Sequence, residues 1–177
     1  GSYNYAPIRN TDGEIIGSVV TARDITQSKK AAEEILSSKA KLEAALDSMN
    51  NAVFISDCEG QLIEFNDAFA TFHKFKNKEE CATTLAEYPT IFNVRNIKGE
   101  LLPLQQWAIP RALRGEKATN VEFILQRKDT NESWIGSYNY APIRNSNGAI
   151  VGSVVTARDI TEQKNIENAL IASEKEF

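Results

Sequence analysis

Stretches with a two-residue hydrophobic period alternate along the chain with stretches of helical period, and turn-forming residues separate them. Between Ala52 and Phe65 the apolar positions fall in two short runs. Val53-Phe54-Ile55 is the first, and Gln61 to Phe65, with Ile63 and Phe65 on one face, is the second. Asp57-Cys58-Glu59-Gly60 lies between them, so two strands joined by a tight turn are predicted. Asn66-Asp67 caps a predicted helix that carries Phe69 and Phe72 one turn apart. Asn77 opens another short helical piece through Glu79, Glu80 and Leu85, and Tyr88-Pro89 to Ile97-Lys98-Gly99 reads as loop. Leu104 to Leu113 is predicted as a helix ended by Gly115, with Pro110 expected to kink it. Three long strands follow, Asn120 to Arg127, Glu132 to Ile143 and Ala149 to Arg158. The order ββαααβββ predicts an α+β domain, an antiparallel sheet with its helices gathered on one face.

A direct repeat organises the rest. Residues 1–26, GSYNYAPIRNTDGEIIGSVVTARDIT, return as residues 136–161, GSYNYAPIRNSNGAIVGSVVTARDIT. Only four positions differ: Thr11/Ser146, Asp12/Asn147, Glu14/Ala149 and Ile16/Val151. Each copy reads as a hairpin, with Asn and Gly at the reversal and Val, Ile, Thr and Tyr on both sides. Because Gly136-Ser137 matches Gly1-Ser2, the leading dipeptide reads as native sequence. A lone hairpin is marginally stable in water. Residues 1–26 are therefore expected to be the closing hairpin of a preceding domain, and either disordered or paired with a strand of another copy.

Each hairpin runs into a stretch without Gly or Pro and rich in Ala, Glu, Lys and Leu, strong helix formers. Ala31, Ile35, Ser38, Leu42, Ala45 and Met49 are spaced by four and three in turn, and so are Ile166, Leu170, Ser173 and Phe177. This heptad pattern fits a thin two-stranded coiled coil, and equally an amphipathic helix packed on its own domain.

Composition narrows the function. The chain has 177 residues, 42% hydrophobic and 25% charged, which suits a packed core. The net charge of −4 and pI near 5.2 leave no basic footprint for nucleic acid. The nearly apolar run Ile15 to Val20 is far short of a bilayer span, and no signal-peptide pattern opens the chain. Cys58 and Cys81 lack a CxxC partner, against a disulfide scaffold or zinc knuckle. With His73 the sole histidine, most histidine-based metal sites and catalytic triads are excluded, and no metal site is expected. A soluble, cytoplasmic module is the expectation, without nucleic acid or membrane contact by this segment.

Five groups of residues carry a family resemblance. They are Asp57-x-x-Gly60, Phe65-Asn66-x-Ala68-Phe69, Arg111-Ala112-Leu113-Arg114-Gly115-Glu116, Ala141-Pro142-Ile143-Arg144 with Gly148, and Asp159-Ile160-Thr161. In this order they resemble a PAS (Per-Arnt-Sim) domain of the tandem type found in sensor histidine kinases. The resemblance covers residues 50–161, with a helical linker over 27–49 and the start of an output helix over 162–177. It implies a five-stranded antiparallel sheet with helices on one face, flanked by linker helices. It implies a sensory and dimerisation module rather than an enzyme, working as a homodimer through the linker helices and the PAS surface. Neighbouring PAS and kinase domains of the same protein would be its partners. Asp159, Ile160 and Thr161 would then relay strand movement into the helix that follows; Thr161 is also a good N-cap and Ile160 a core anchor, a plain helix start.

Candidate site residues follow from the same resemblance. By alternation Trp134, Gly136, Tyr138 and Tyr140 share a strand face. Family geometry turns that face toward a cavity, with Ser153, Val155 and Ala157 from the next strand. A register shift of one residue would present Ile135, Ser137 and Asn139 instead. Phe69, Phe72, Ile91, Phe92, Trp107 and Arg111 would close the other wall, Arg111 being the candidate for an anionic headgroup. The same aromatics could simply fill a core. No cofactor is assigned. The flavin-binding cysteine motif is missing from Ile91-Phe92-Asn93-Val94-Arg95-Asn96, and no histidine lies in Leu104 to Leu113, where haem-sensing relatives carry one. A small organic ligand stays open, against a ligand-free dimerisation or spacer module. His73 precedes Lys74-Phe75-Lys76 rather than the acidic residue of a phosphoacceptor site, and is expected at the surface.

Overall fold

The computed structural model describes residues 1–175; Phe177, the last seam position expected from the heptad pattern, lies outside them. The chain divides into two units, residues 1–44 and the part from Ala45 onward.

In the first unit, β1 (Ser2–Arg9) and β2 (Ile15–Arg23) pair as an antiparallel hairpin in a sheet of their own, and α1 (Thr26–Asp47) follows. The expectation of disorder is thus corrected. Asn10 holds the reversal, its Oδ1 accepting from the Asp12 and Glu14 amides at 3.0 and 2.9 Å. Every residue of both strands is exposed.

The second unit is the α+β domain expected from the sequence. Its strands are β3 (Ala52–Asp57), β4 (Leu62–Phe65), β5 (Phe92–Arg95), β6 (Ala118–Arg127), β7 (Ser133–Arg144) and β8 (Ile150–Asp159). They form one antiparallel sheet in the order β4-β3-β8-β7-β6-β5. Helices α2 (Asp67–Phe72), α3 (Tyr88–Ile91) and α4 (Ala108–Leu113) are short, and α5 (Thr161–Lys175) leaves the last strand. The sheet therefore has six strands rather than five. Residues 92–95, read as loop, alternate buried Phe92 and Val94 with partly exposed Asn93 and Arg95 and pair with Ile124 to Arg127 of β6.

The helix expected over 104–113 is two pieces, a 3-10 turn at Leu104–Gln106 and α4, with Trp107 extended between them. That break puts Pro110 in the first turn of α4, where its missing N–H would have had no helical partner anyway, so no kink is needed. Gly115 accepts a φ of +93° just past the helix, as a C-terminal glycine should.

Asn66, 1% exposed, ties three elements together. Its Oδ1 accepts from the amides of Val53 (2.9 Å) and Phe69 (3.2 Å), capping α2. Its Nδ2 donates to the carbonyls of Leu46 (3.0 Å) and Asn51 (2.9 Å), which fixes the end of α1 against the start of β3. Among the described residues no helix is long and apolar enough to cross a membrane.

Candidate functional site

The helices lie on one face of the sheet, and aromatic side chains from both line a cavity of about 50 Å³. Phe54 from β3, Phe69 and His73 at α2, Tyr88 of α3, Phe92 of β5, Trp107, Ile109 of α4, Phe123 and Leu125 of β6 and Tyr138 of β7 are on its wall. Of the residues read as candidates, the structure brings Phe69, Phe92, Trp107 and Tyr138 to that wall. Phe72, Trp134, Gly136, Tyr140, Val155 and Ala157 are buried in the surrounding core. Ile91 is half-buried against it, and the Ser153 hydroxyl bonds that of Ser56 at 2.7 Å inside the sheet. Asn139 is exposed, Ile135 half-buried and Ser137 buried, but none of the three reaches the cavity. Tyr138 does, and Trp134, Gly136 and Tyr140 are buried beside it, so β7 turns that face inward.

Gly136 is small because the ring tips of Phe72 and Tyr138 occupy the space a side chain would need: a Cβ there would stand 2.7 Å from each. Two of the buried aromatics carry idle polar atoms, since neither Nε1 of Trp134 nor the hydroxyl of Tyr140 has a hydrogen-bond partner.

Arg111 is not brought to the cavity. Its Nε donates to Glu116 at 2.8 Å, and the guanidinium stands 5.3 Å from the Tyr140 ring. With Arg114, which also pairs with Glu116 (3.0 Å), it borders an open groove of about 740 Å³. The one carboxylate shared by both arginines partly neutralises them.

His73 corrects the surface expectation. It is 5% exposed and ringed by Phe54, Phe69, Phe72, Tyr88 and Phe92 at centroid distances of 4.2 to 6.0 Å. The neighbouring Lys74 suggested solvent, but His73 caps the C-terminal end of α2 and turns inward while Lys74, in the left-handed region at φ 59°, turns out. Nδ1 lies 3.0 Å from the Phe69 carbonyl, which can only accept, so Nδ1 carries the proton of the neutral ring. Burial, outweighing that bond, brings its pKa down to about 4, and nearby Arg127 adds to the drop. The unfolded chain protonates His73 near 6.5, so the stabilisation is complete above that pH and is lost as pH falls toward 4. We expect denaturant-unfolding stability to fall by about 2 kcal/mol from pH 6.5 to 5, above the main carboxylate range. His73→Phe should flatten that dependence; an unchanged slope would contradict the burial.

The Asp159-Ile160-Thr161 triplet joins the sheet to α5. Asp159 Oδ1 accepts from the Thr161 amide at 2.9 Å and from its hydroxyl. The same hydroxyl oxygen accepts from the Ile135 amide at 2.9 Å, and the Ile160 amide donates to the Ile135 carbonyl at 2.8 Å. Lys74 Nζ pairs with Asp159 Oδ2 at 3.3 Å, beside the Trp134 ring. Burial raises the Asp159 pKa, but the Thr161 and Lys74 contacts together bring it below the usual carboxylate value. One turn further, Lys164 pairs with Glu122 of β6 at 2.9 Å.

Among the described residues no cluster of His, Cys, Asp and Glu could hold a metal ion. Cys58 is exposed, and burial pushes the Cys81 thiol up to about 11. A cavity of about 50 Å³ cannot take a flavin or haem ring as its side chains stand, so no chemistry is routed through such a group. Sequence reasoning missed Phe54, His73, Tyr88, Ile109, Phe123 and Leu125 on the wall. The Val53-Phe54-Ile55 alternation and the strand pattern through Phe123 and Leu125 carry signals for three of them; Tyr88 was hidden by Pro89 and His73 by Lys74.

Comparison with known proteins agrees with this geometry. A family model described as PAS domain matches residues 50–162. The alginate biosynthesis sensor protein KinB of Pseudomonas aeruginosa is 28% identical over 139 residues, which is 78% of this chain and 21% of that protein. Among solved structures, a PAS domain from Colwellia psychrerythraea aligns with TM-score 0.50 and 23% identity over 72% of this chain and 98% of its own. The E. coli DhaR(N)–DhaL complex aligns with TM-score 0.53 and 16% identity over 88% of this chain and 54% of the matched one. Both are likenesses of fold.

Proposed function

The chain belongs to the PAS domain family, and from that premise we propose that residues 50–161 act as a sensory relay. In this reading a change in the aromatic interior passes along the backbone from His73 to Lys74, across the Lys74–Asp159 pair, and into α5. One observation carries it: a cavity-wall side chain and the partner of Asp159 are consecutive residues. The turn between them is stiff, because Arg127 donates to both the His73 and Lys74 carbonyls (3.3 and 3.0 Å) while Asp129 holds its other edge at 2.7 and 2.9 Å. Movement of His73 would therefore be passed on rather than absorbed.

The relay is placed in a longer cytoplasmic protein of the multi-PAS sensor histidine kinase type, with any kinase activity outside this chain. Similarity to a protein described as a sensor supports the sensory part of this reading. Homodimerisation along the helices is supported by exposed Ile35 (70%), Leu42 (52%), Ile166 (64%) and Leu170 (60%), which lie on the heptad pattern.

A double-mutant cycle tests the relay. Ala108→Val adds bulk at the cavity wall and is expected to change hydrogen exchange in the first turn of α5 by about threefold or more (roughly 0.7 kcal/mol). Lys74→Met keeps the aliphatic stem but removes the charge, and should abolish that response. Equal responses in both backgrounds would remove the route.

The small-molecule and spacer readings have one observation each. A cavity walled by aromatic and aliphatic side chains on the helix side of the sheet favours a small apolar occupant. The cavity, at about 50 Å³, is well below the ~300 Å³ where small-molecule sites begin, which favours the spacer. Native mass spectrometry separates them: added mass of an organic compound supports sensing, and the bare chain mass supports the spacer.

A further inference from the structure

The repeat supplies a comparison that does not depend on the relay. Both hairpins share one register: Ser2↔Arg23 through Ile8↔Gly17 corresponds pair for pair to Ser137↔Arg158 through Ile143↔Gly152, with the irregularity at the same place. In the second copy Tyr138, Tyr140 and Val155 are 5%, 2% and 0% exposed; their equivalents Tyr3, Tyr5 and Val20 are 67%, 83% and 60% exposed. All four positions that differ between the copies are exposed in the second. Every residue that faces the core there is unchanged in the first.

Gly17 points to what belongs on this face. Its equivalent, Gly152, cannot carry a side chain, because a Cβ would lie 2.1 Å from the Ser56 carbonyl oxygen of β3. Around Gly17 a Cβ would meet only Ile8 Cδ1, at 3.9 Å, and Gly17 has no positive φ that would call for glycine. Ser18 likewise matches Ser153, whose hydroxyl pairs with Ser56 in the sheet interior but has no counterpart around β2. Glycine and serine at these sites fit a neighbouring strand that runs against β2 as β3 runs against β8.

We propose that β1 and β2 are sheet strands of a second PAS core, supplied by the same polypeptide on the N-terminal side of Gly1. That core presents to β2 a strand with a main-chain carbonyl against Gly17 and a hydroxyl side chain against Ser18. Its aromatic helix covers Tyr3 and Tyr5. Helix α1 then leaves that core as α5 leaves this one, from a triplet capped alike: the Thr26 amide donates to Asp24 Oδ1 at 2.9 Å, as that of Thr161 does to Asp159.

Hydrogen exchange tests this on residues 1–177 and on the same chain continued upstream by one domain length. Peptides covering Ser2–Arg9 and Ile15–Arg23 should exchange at least about tenfold slower in the longer chain. Gly17→Ala should leave unfolding of the shorter chain unchanged and lower one transition of the longer chain by on the order of 5 °C. Equal exchange in both chains would overturn the proposal. So would concentration-dependent protection in the shorter chain that Val20→Asp abolishes, because that outcome assigns the face to a second copy.

Discussion

Gly152→Ala is expected to destabilise the PAS domain by about 3 kcal/mol, far more than one added methyl costs at an ordinary strand position. The new Cβ would stand 2.1 Å from the Ser56 carbonyl oxygen and 3.3 Å from its carbonyl carbon. Both belong to the backbone of β3, so no rotamer change relieves the clash. Strand β3 must move away, which weakens its pairing at Ser56↔Ser153 and Asp57↔Gly152 and pulls the two buried hydroxyls apart. The repeat provides an internal control: Gly17→Ala in the 177-residue chain adds the same methyl to a nearly identical local sequence, Ile16 standing for Val151, with open space around it. Urea unfolding of the two variants should differ by the full penalty. If Gly152→Ala unfolds within about 1 kcal/mol of the parent, the close approach of β3 to β8 is wrong.

Asn66→Ala is expected to cost a similar amount, about 3 kcal/mol, for a different reason. Loss of the α2 cap alone is worth about 0.5–2 kcal/mol. The buried Val53 amide also loses its partner, at a further penalty for burial without a hydrogen bond. The Leu46 carbonyl keeps the Met49 amide (3.1 Å) and the carbonyl of exposed Asn51 can turn to water, so these two lose only a tether. Asn66→Ser separates the two parts, since serine can cap but cannot reach the carbonyls. It should recover the cap and little else, and amides near the end of α1 should exchange faster in both variants. Near-complete recovery by serine would show that the carbonyl contacts contribute nothing.

Long-period features of this domain were legible in its sequence, and short ones were not. The strands ending in Arg127, Arg144 and Asp159 announced themselves by length and alternation, and the Asn66 cap by its place before an aromatic pair. Strand β5 escaped because four residues between Pro89 and Gly99 give alternation little room. A signal was nevertheless present. Arg95-Asn96-x-x-Gly99 repeats the pattern of Arg9-Asn10-x-x-Gly13 and Arg144-Asn145-x-x-Gly148, both of which close hairpins. In all three the Asn Oδ1 takes two following amides and the Arg reaches the Gly carbonyl at 2.8 to 3.1 Å. The cavity wall was half legible. Residues on one strand face share a period, whereas His73 and Tyr88 reach the interior from helix ends, where position depends on how the chain turns. Arg111 was misjudged for its surroundings: the partner that satisfies it, Glu116, lies five residues on, beyond the glycine that ends the helix.

Those three Arg-Asn-x-x-Gly loops satisfy their own backbone through main-chain amides and the Arg and Asn side chains, so the side chains of the middle pair carry no structural duty. Divergence between the two hairpins fits this, with Thr11-Asp12 standing where the second copy has Ser146-Asn147. Ile97 is 67% exposed at the corresponding place in the third loop. With the exposed Cys58 replaced by serine, cysteines introduced there and at Ser146 offer attachment points for a pair of dyes, one beyond the β5 end of the sheet and one at the β7–β8 reversal. Strain across the sheet could then be followed by energy transfer while the interior is left untouched.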